Sequence, residues 1–517
     1  MTLSAARVVL AIMRVMSSVV VESANVAQLA HENSALKATV LHLETLVEKL
    51  QFQLAQLTRR QFGVSAEGLA QLGLWSPDDT PASAAPPIAT TLVPAHARAK
   101  PVRRPLPDDL PREVIELDLS PEQQACPCCG GARHVIGEDV SEKLDVEPAR
   151  MTVLQYRRKK YACRACAGEV QSASLPAQLI EQGLATPGLL AHVAVQKFCD
   201  PLPLARQEKI FGRQGIELPR STLTDWMLVI GQAVTPLVDR MGEWLKTTDI
   251  LASDDTPLPW HNGRAGKTTT ARLWVWRGVV DENKPLLVYQ FTPDRSGEHA
   301  GAFLNGWHGY LQADAYSGYD RNFVDGRIIE VGCMAHARRR YFEIAKSAKT
   351  PGFAHDIVQR IGELYAIERA AKEQRLTPPA RHQLRHERAP PLLAALKERV
   401  EAHLPKVPPK GPLAEAIGYT LNHWVALNRY LDDGRLEIDN NAIERAIRPV
   451  AQGRANWLFV ASERGGHAAA ALYSLIESAK ANGHNPYAYL RDVLTRLPVT
   501  KAKDIDSLLP HVWQPRA

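Results

Sequence analysis

Three acidic side chains stand where they could bind metal ions together. Asp254 closes the run 250–253, Asp314 closes the run 310–313, and Glu444 lies in the first turn of a predicted helix. Converging carboxylates repel each other unless cations lie between them. Mg²⁺ or Mn²⁺ held by such carboxylates can activate water or a 3′-OH and stabilise the leaving oxygen. The chemistry predicted for these residues is in-line phosphoryl transfer.

Each acid taken alone also has a structural interpretation. Asp254 could cap a strand end, and Asp314 could be a turn residue. Glu444 could form an N-terminal capping box with Asn441 or pair with Arg448. The order of all three acids within one pattern of strands is what favours a shared site.

The surrounding pattern predicts the elements that would bring the acids together. It contains a helix at 298–305 and five strands, at 250–255, 272–280, 285–291, 310–316 and 327–331. This is the element order of an RNase H-like α/β domain, in which the first and fourth strands lie side by side at the sheet centre. Asp254 and Asp314 would then meet, and a later helix packed over the sheet would add Glu444.

Four of the seven cysteines form two Cys-x-x-Cys pairs, Cys126 with Cys129 and Cys163 with Cys166. Two such pairs supply four thiolates for tetrahedral Zn²⁺, and four unrelated buried cysteines are the alternative. Seven cysteines in this length do not make a disulfide framework, and reduced pairs favour the cytosol. A basic run beside the second pair predicts a nucleic-acid surface, with a solvated strand edge as the alternative. The run comprises Arg157, Arg158, Lys159 and Lys160.

A seven-residue repeat near the N-terminus predicts a parallel, dimeric coiled coil at 22–62. Leucines fill one seam position at Leu29, Leu36, Leu43, Leu50 and Leu57. The other seam position is occupied by Val26, Asn33, Val40, Val47 and Leu54. The single polar residue, Asn33, would fix the register and the two-stranded state. The alternative is an amphipathic helix packed on its own chain.

A helix-turn-helix is predicted between the cysteines and the acids. Its first helix spans 204–213, a turn follows at 214–216, and the second helix spans 221–230 with Ser221 as its cap. Arg220 would stand at the start of the helix that enters a DNA groove. A plain helical hairpin is the alternative.

Composition sets limits on the class of protein. The 517 residues are 45% hydrophobic and 23% charged, which excludes a wholly disordered chain and a polytopic membrane protein. The net charge of +6 is small for this length, so the placement of the basic residues matters more than their excess. A proline-rich segment at 73–111, basic in its later half, predicts an extended linker.

Nearly the whole chain resembles the IS66-type insertion-sequence transposases of bacteria. Besides the two cysteine pairs, the motifs that carry the resemblance occupy 60–67, 201–208, 254–257, 314–319, 336–340, 439–445, 456–459 and 473–480. The resemblance implies a DDE transposase whose three acids are Asp254, Asp314 and Glu444. It also implies a helical insertion before the glutamate, which fits 337–436.

Three further positions bear on the resemblance. Many DDE transposases carry Cys-x-x-His after the second acid, as Cys333 and His336 do here; a core cysteine with a hydrogen-bonded histidine is the alternative. The family usually has Glu at the position of Asp255, which leaves a supporting role for that acid open. It tends to have Lys at the position of Ala455, which puts one phosphate contact in doubt.

The fold class expected is multidomain α+β, with a coiled coil, a zinc ribbon-like module, a helical DNA-binding segment and an RNase H-like core with a helical insertion. The expected divisions are 22–62, 73–111, 112–180, 181–245, 246–336, 337–436, 437–497 and a tail at 498–517. Further phosphate contacts are predicted at Arg338, Arg339, Arg340, Arg445 and Arg448.

The function expected is binding of transposon ends, Mg²⁺- or Mn²⁺-dependent strand cleavage and 3′-OH strand transfer. The partners expected are transposon and target DNA, a second copy of the chain and small accessory proteins of the same element. The protein would be cytoplasmic in a bacterium, nucleoid-associated when bound to DNA, without membrane contact. The alternatives are a zinc-containing dimeric DNA-binding regulator with an inactive core, and a nuclease that only cuts.

Overall fold

The structure, a computed structural model, describes most of the chain after residue 150. It covers ten positions between Asn33 and Leu50 and the ranges 151–157, 160–161, 171–172, 174–181, 183–261, 268–281, 283–348 and 350–515. The predicted zinc ligands and linker lie outside the described residues, namely Cys126, Cys129, Cys163, Cys166 and 73–111. So do Arg158 and Lys159 of the basic run.

The ten described positions near the N-terminus are all helical and all exposed. They include six of the predicted seam positions: Asn33, Leu36, Val40, Leu43, Val47 and Leu50. A stripe of exposed leucine and valine is what a coiled-coil helix presents to its partner. The dimeric coiled coil itself stays a prediction.

A small unit is described by itself. Strand β1 (Lys160–Tyr161) pairs antiparallel with β2 (Gln171–Ser172) within a compact unit at Thr80–Pro176. In sequence, the two strands flank the second cysteine pair.

The described residues of the larger unit contain a five-stranded mixed sheet. Its strands are β3 (Ile250–Trp260), β4 (Thr269–Val280), β5 (Lys284–Thr292), β6 (Gly309–Gln312) and β7 (Ile328–Val331), in the order β5-β4-β3-β6-β7. β3, β4 and β5 are antiparallel, whereas β6 and β7 run parallel to β3. The predicted adjacency of the first and fourth strands is confirmed.

The expected end of the first strand at the two acids is wrong. β3 continues through Asp254 and Asp255 to Trp260 because its antiparallel partner β4 pairs with it over that whole length. Only the parallel partner β6 stops, at Gln312. The acids therefore lie within a long strand, beside the place where its neighbour ends.

Helices precede, interrupt and follow the sheet. Those before it are α1 (Pro187–Phe198), α2 (Leu204–Arg213), α3 (Arg220–Ala233) and α4 (Thr235–Leu245), and those within it are α5 (Gly297–Leu304) and α6 (Asp320–Phe323). Those after β7 are α7 (Met334–Ser347), α8 (Phe353–Glu373), α9 (Pro378–Glu401), α10 (Pro412–Asn422) and α11 (Trp424–Asn428). The last are α12 (Asn441–Trp457), α13 (Glu463–Ala481) and α14 (Pro486–Arg496). None of the described helices is both long and apolar enough to cross a bilayer.

Helix α13 protects the open edge of the sheet. β5 is an edge strand, so alternate backbone groups lack a strand partner. Ser478 Oγ accepts from the Leu287 amide at 2.9 Å, and Ser474 Oγ accepts from the Tyr289 amide at 2.8 Å. Both hydroxyls are buried. The serines thus replace a sixth strand as hydrogen-bond partners.

The predicted helical pair before the sheet is present, with one correction. α2 has the expected bounds, but α3 begins at Arg220, after Pro219, and no side chain caps it. The prediction of Ser221 as the cap is therefore wrong. Proline at 219 already fixes the entry of the chain, and the Arg220 amide donates to Glu208 of α2 at 3.0 Å. This bond ties the two helices together.

Helices α7 to α11 form a second core beside the sheet. Arg385 of α9 is fully buried within it and uses all five of its N–H donors. Two of these bonds go to Glu368 of α8, at 2.7 and 2.9 Å. The others go to the carbonyls of Tyr430, Asp433 and Leu436, at 2.6 to 3.0 Å. Arg385 thereby holds the chain that leads into α12.

Candidate active site

The first two predicted acids occupy equivalent positions on neighbouring strands. The last pair in the parallel β3–β6 register joins Ala252 to Gln312. Two residues further along each chain are Asp254 and Asp314, the latter just beyond the end of β6. Alternation along β3 places Asp254 on the same face as Ala252, and the effect of the Asp314 charge on the pKa of Asp254 puts the two carboxyls close together.

The turn after β6 holds Asp314 in place. The Tyr316 amide donates to Asp314 Oδ1 at 3.2 Å, and Ala315 between them has a left-handed φ of 60°. The phenol of Tyr419 in α10 lies 3.4 Å from the Asp314 carbonyl. Asp314 is therefore a turn residue, as the structural alternative held, and its turn also positions its carboxylate next to β3.

Glu444 arrives on a helix whose start is fixed to the sheet. The Asn440 side chain donates to the Ser253 carbonyl at 3.0 Å, one residue before Asp254. The Asn440 amide donates to Cys333 Sγ at 3.2 Å. The capping-box alternative fails here, because the N-cap residue Asn440 makes no side-chain bond to the helix and Asn441 instead donates to Asp439.

Burial and like charge act together on these carboxyls. Burial raises the pKa of Asp254 well above its usual range, and the charge of Asp314 adds to the shift. Burial also raises the pKa of Glu444 to about 7; Arg339 opposes that shift, and Asp439 and Asp314 add to it. Desolvated, mutually repelling carboxyls of this kind fit divalent cations, which relieve both costs at once.

The raised pKa of Glu444 predicts how the stability of the protein depends on pH in the absence of Mg²⁺ and Mn²⁺. Between its usual pKa of 4.5 and about 7, the folded protein binds more protons than the unfolded chain, so stability falls as pH rises through this window. Glu444→Gln removes that loss. The variant should gain roughly 2–3 kcal/mol in unfolding free energy at pH 8 relative to wild type, and little at pH 4.5. Urea unfolding at the two pH values measures this.

The exposed Glu463 provides the matched control for this measurement. Glu463→Gln should change stability by no more than about 0.5 kcal/mol at either pH. Equal stability of wild type and Glu444→Gln at pH 8 would contradict the environment described for Glu444.

Cys333 and His336 lie against Glu444, as the Cys-x-x-His motif places them in sequence. The possible ligand atoms of these three residues all lie within 4.8 Å of one another. His336 Nδ1 is 3.8 Å from Glu444 Oε1, and that buried nitrogen has no hydrogen-bond partner among the described residues. Burial lowers the pKa of His336 and raises that of Cys333. A protonated thiol suits Mg²⁺ poorly, and Cys333 here accepts the Asn440 amide.

Asp255 is a site residue whose role the sequence left open. Its side chain is only 2% exposed, and each of its oxygens faces an arginine. Arg272 lies 3.0 Å from Oδ2 and Arg295 lies 2.7 Å from Oδ1. Arg295 also approaches Asp314 Oδ2 to 3.6 Å and stacks on the Tyr316 ring. Asp255 is thus already neutralised, whereas no arginine is bonded to Asp254 among the described contacts.

The predicted DNA contacts differ in accessibility. Arg220, Arg339, Arg340 and Arg445 are exposed, and so is Arg157 in the smaller unit. Arg448 is half-buried, and the side chain of Lys160 lies outside the described residues. Arg338 is buried against the Phe342 ring, where a phosphate could reach it only after movement. Arg339 also acts on the pKa of Glu444, which puts it near the acids.

Comparison with known proteins identifies the family. The model of the Transposase IS66 family matches residues 182–468, more than half of the chain. The chain belongs to the IS66 transposase family. Further models match around this core: the IS66 C-terminal element at 474–511, the zinc-finger binding domain of transposase IS66 at 123–167, and Transposase C of IS166 homeodomain at 49–115. The zinc-finger match includes all four paired cysteines and supports a structural Zn²⁺.

Relatives cover most of this IS66 family chain. The uncharacterized protein y4jD of Sinorhizobium fredii is 38% identical over 79% of this chain and 81% of its own length. The uncharacterized protein y4qI of the same organism is 36% identical over 96% of this chain and 94% of its own length. Membership of the family supports a DNA transposase that binds DNA and uses a divalent metal.

Proposed function

We propose that this chain is a DDE transposase that binds the ends of its element, cuts a DNA strand there and joins the freed 3′-OH to target DNA. The strand order supports an RNase H-like core, because the first and fourth strands are adjacent and parallel. The observation that carries the proposal is the parallel pairing of β3 with β6, which brings Asp254 beside the turn of Asp314, with Glu444 electrostatically coupled to both.

Each acid has a distinct part in this proposal. Asp254 and Asp314 would hold one divalent cation jointly, and Glu444 would complete a second site. Bound Mg²⁺ or Mn²⁺ would supply the charge that activates the attacking water or 3′-OH and stabilises the leaving oxygen. Asp255 would hold β3 and the Asp314 turn together through its arginines, and Asn440 would fix the start of α12.

DNA binding would involve the basic residues and the outlying segments. Arg339, Arg340 and Arg445 are exposed and would contact phosphates beside the acids. The zinc module at 112–180 and the helical segment at 181–245, with Arg220, would bind the ends of the element. The coiled coil at 22–62 would pair two copies, so that both ends are held in one complex.

A cleavage assay tests this proposal. The purified chain is mixed with a labelled duplex carrying the terminal sequence of its own element, taken from the DNA that flanks the reading frame. We expect a strand cut at the element boundary that requires Mg²⁺ or Mn²⁺. A DNA-binding regulator with an inactive core would bind the same duplex without cutting it, and that outcome would overturn the proposal.

A further inference from the structure

We propose that Leu458 and Phe459 form a wedge that inserts between bases of the element's end next to the cleavage site. This inference rests on the proposed function, since it presumes that DNA approaches the acids. It adds a specific contact: an apolar tip that stabilises unstacked bases while the scissile strand enters the site. The tip is the short loop that follows α12.

The tip exposes two large apolar side chains through an unfavourable backbone conformation. Leu458 is 66% exposed and Phe459 is 45% exposed. Leu458 has φ 68° and ψ −54°, and the Phe459 amide donates to the Trp457 carbonyl at 2.9 Å. This is the rare γ-turn with positive φ, which is strained for any residue except glycine. The strained conformation of Leu458 exposes apolar surface instead of burying it, which indicates a functional contact.

The tip is attached to the strand that carries the first acid. The Val460 amide donates to the Pro259 carbonyl at 2.9 Å, and the His261 amide donates to the Val460 carbonyl at 2.8 Å. On the other side of the tip, Arg454 donates to Thr256 Oγ1 at 3.2 Å. The wedge therefore has a fixed position relative to Asp254, which a base-contacting element needs if it is to select one DNA step.

Trp457 gives the tip a rigid base. Its indole packs so closely on α12 that a Cβ at Gly453 would lie 2.7 Å from Trp457 Nε1. The ammonium of Lys197 in α1 lies 5.5 Å from the centre of the indole ring. Trp457 is half-buried, so it fixes the loop, while the next two residues extend into solvent.

Charge favours DNA over a second copy of the chain as the occupant. Between Glu444 and Glu463 every charged residue is basic: Arg445, Arg448 and Arg454. Arg445 is exposed, and Arg448 and Arg454 are half-buried. A phosphate backbone complements a basic helix of this kind, and DNA-unstacking proteins combine apolar wedges with basic residues. A contact that pairs the two tips about a two-fold axis would instead bring the basic helices of both copies close together.

Base unstacking can be measured without any cleavage. A series of duplex ends is prepared, each with 2-aminopurine at a different position around the element boundary, and no divalent cation is added. Binding of the wild-type chain should raise the 2-aminopurine fluorescence several-fold at one of these positions. Leu458→Ala/Phe459→Ala should bind the duplex within about threefold of wild-type affinity, yet give no rise. A rise of the same size with the variant would overturn the wedge.

Cleavage of paired and mismatched ends gives the second measurement. The double variant should cut a fully paired end roughly 10- to 100-fold more slowly, which is the loss expected for one or two base contacts. A mismatch at the boundary, which already unstacks the bases, should restore its rate to within about threefold of wild type. An equal defect on both substrates would show a structural role and overturn the inference.

Leu458→Gly distinguishes loss of the wedge contact from loss of protein stability. Glycine accepts the positive φ, so this variant should melt at a higher temperature than wild type and still lose the fluorescence rise. Val499→Ala, which truncates a residue 69% exposed in the C-terminal region, is the matched control and should behave as wild type.

If the tip variants instead dissociate a dimer that forms without DNA, the occupant is a second copy and the proposal is overturned. A wild-type rise in fluorescence without any cutting would leave the wedge intact and reject the proposed function.

Discussion

Asp254→Asn should reduce metal-dependent cleavage at the element boundary by about 10³-fold or more. The amide keeps the size of the side chain but removes the negative charge that a divalent cation requires. Among the described contacts no arginine is bonded to Asp254, unlike its neighbour Asp255. Cleavage of a labelled duplex under single-turnover conditions measures the effect directly.

The loss should not reflect unfolding. Burial already raises the pKa of Asp254, so the uncharged asparagine should leave the metal-free fold as stable as before or more so. Asp325→Asn, the same substitution at an exposed acid paired with Arg327, is the control and should cut at the wild-type rate. Cleavage by Asp254→Asn at the wild-type rate would show that the assignment of the first acid is wrong.

Arg385→Met should cost about 3–5 kcal/mol of unfolding free energy. The substitution removes one of the two arginines that bind the buried Glu368, leaving Arg381 at 2.6 Å, and it frees three backbone carbonyls in the chain before α12. Unpaired buried groups of this kind carry the full cost of their lost solvation. Urea unfolding monitored by tryptophan fluorescence measures the loss as a lower midpoint.

Two variants make this stability prediction specific. Arg388→Met, on an exposed position of the same helix, should change stability by less than about 0.5 kcal/mol. Replacing both members of the pair, as in Arg385→Met/Glu368→Leu, should recover little of the loss, since Arg381 already compensates Glu368 at 2.6 Å and the three carbonyls stay unpaired. If Arg385→Met unfolds at the wild-type urea concentration, the network does not hold the chain before α12.

Apolar runs and local motifs were enough to predict the elements of the described sheet, whereas the catalytic role of the three acids stays a prediction. The runs located its five strands, and the expected order of elements implied that Asp254 and Asp314 lie side by side. The helix pair before the sheet also followed from its apolar spacing. These features depend on neighbours in sequence or on a known order of elements, so they can be predicted from a single sequence.

Features that depend on distant partners could not be predicted. β3 continues past its acids because β4 pairs with it, and Asp255 is neutralised because Arg272 and Arg295 approach from different elements. Arg338 belongs to a basic run by sequence yet is buried, since α7 turns that face toward the second core. The sequence pointed to the contacts of Asp255 in one respect only: Arg272 and Arg295 are basic residues at or near predicted strands.

Joining of a pre-cut end shows most directly whether Asp254 serves strand transfer by this chain. A duplex with a free 3′-OH at the element boundary is incubated with a target plasmid, Mg²⁺ and either wild type or Asp254→Asn. The labelled end should become covalently attached to the plasmid with wild type and not with the variant. Wild-type protein that cuts uncut ends but never joins the pre-cut end would contradict a strand-transfer function, and a variant that joins it equally well would contradict the role of Asp254.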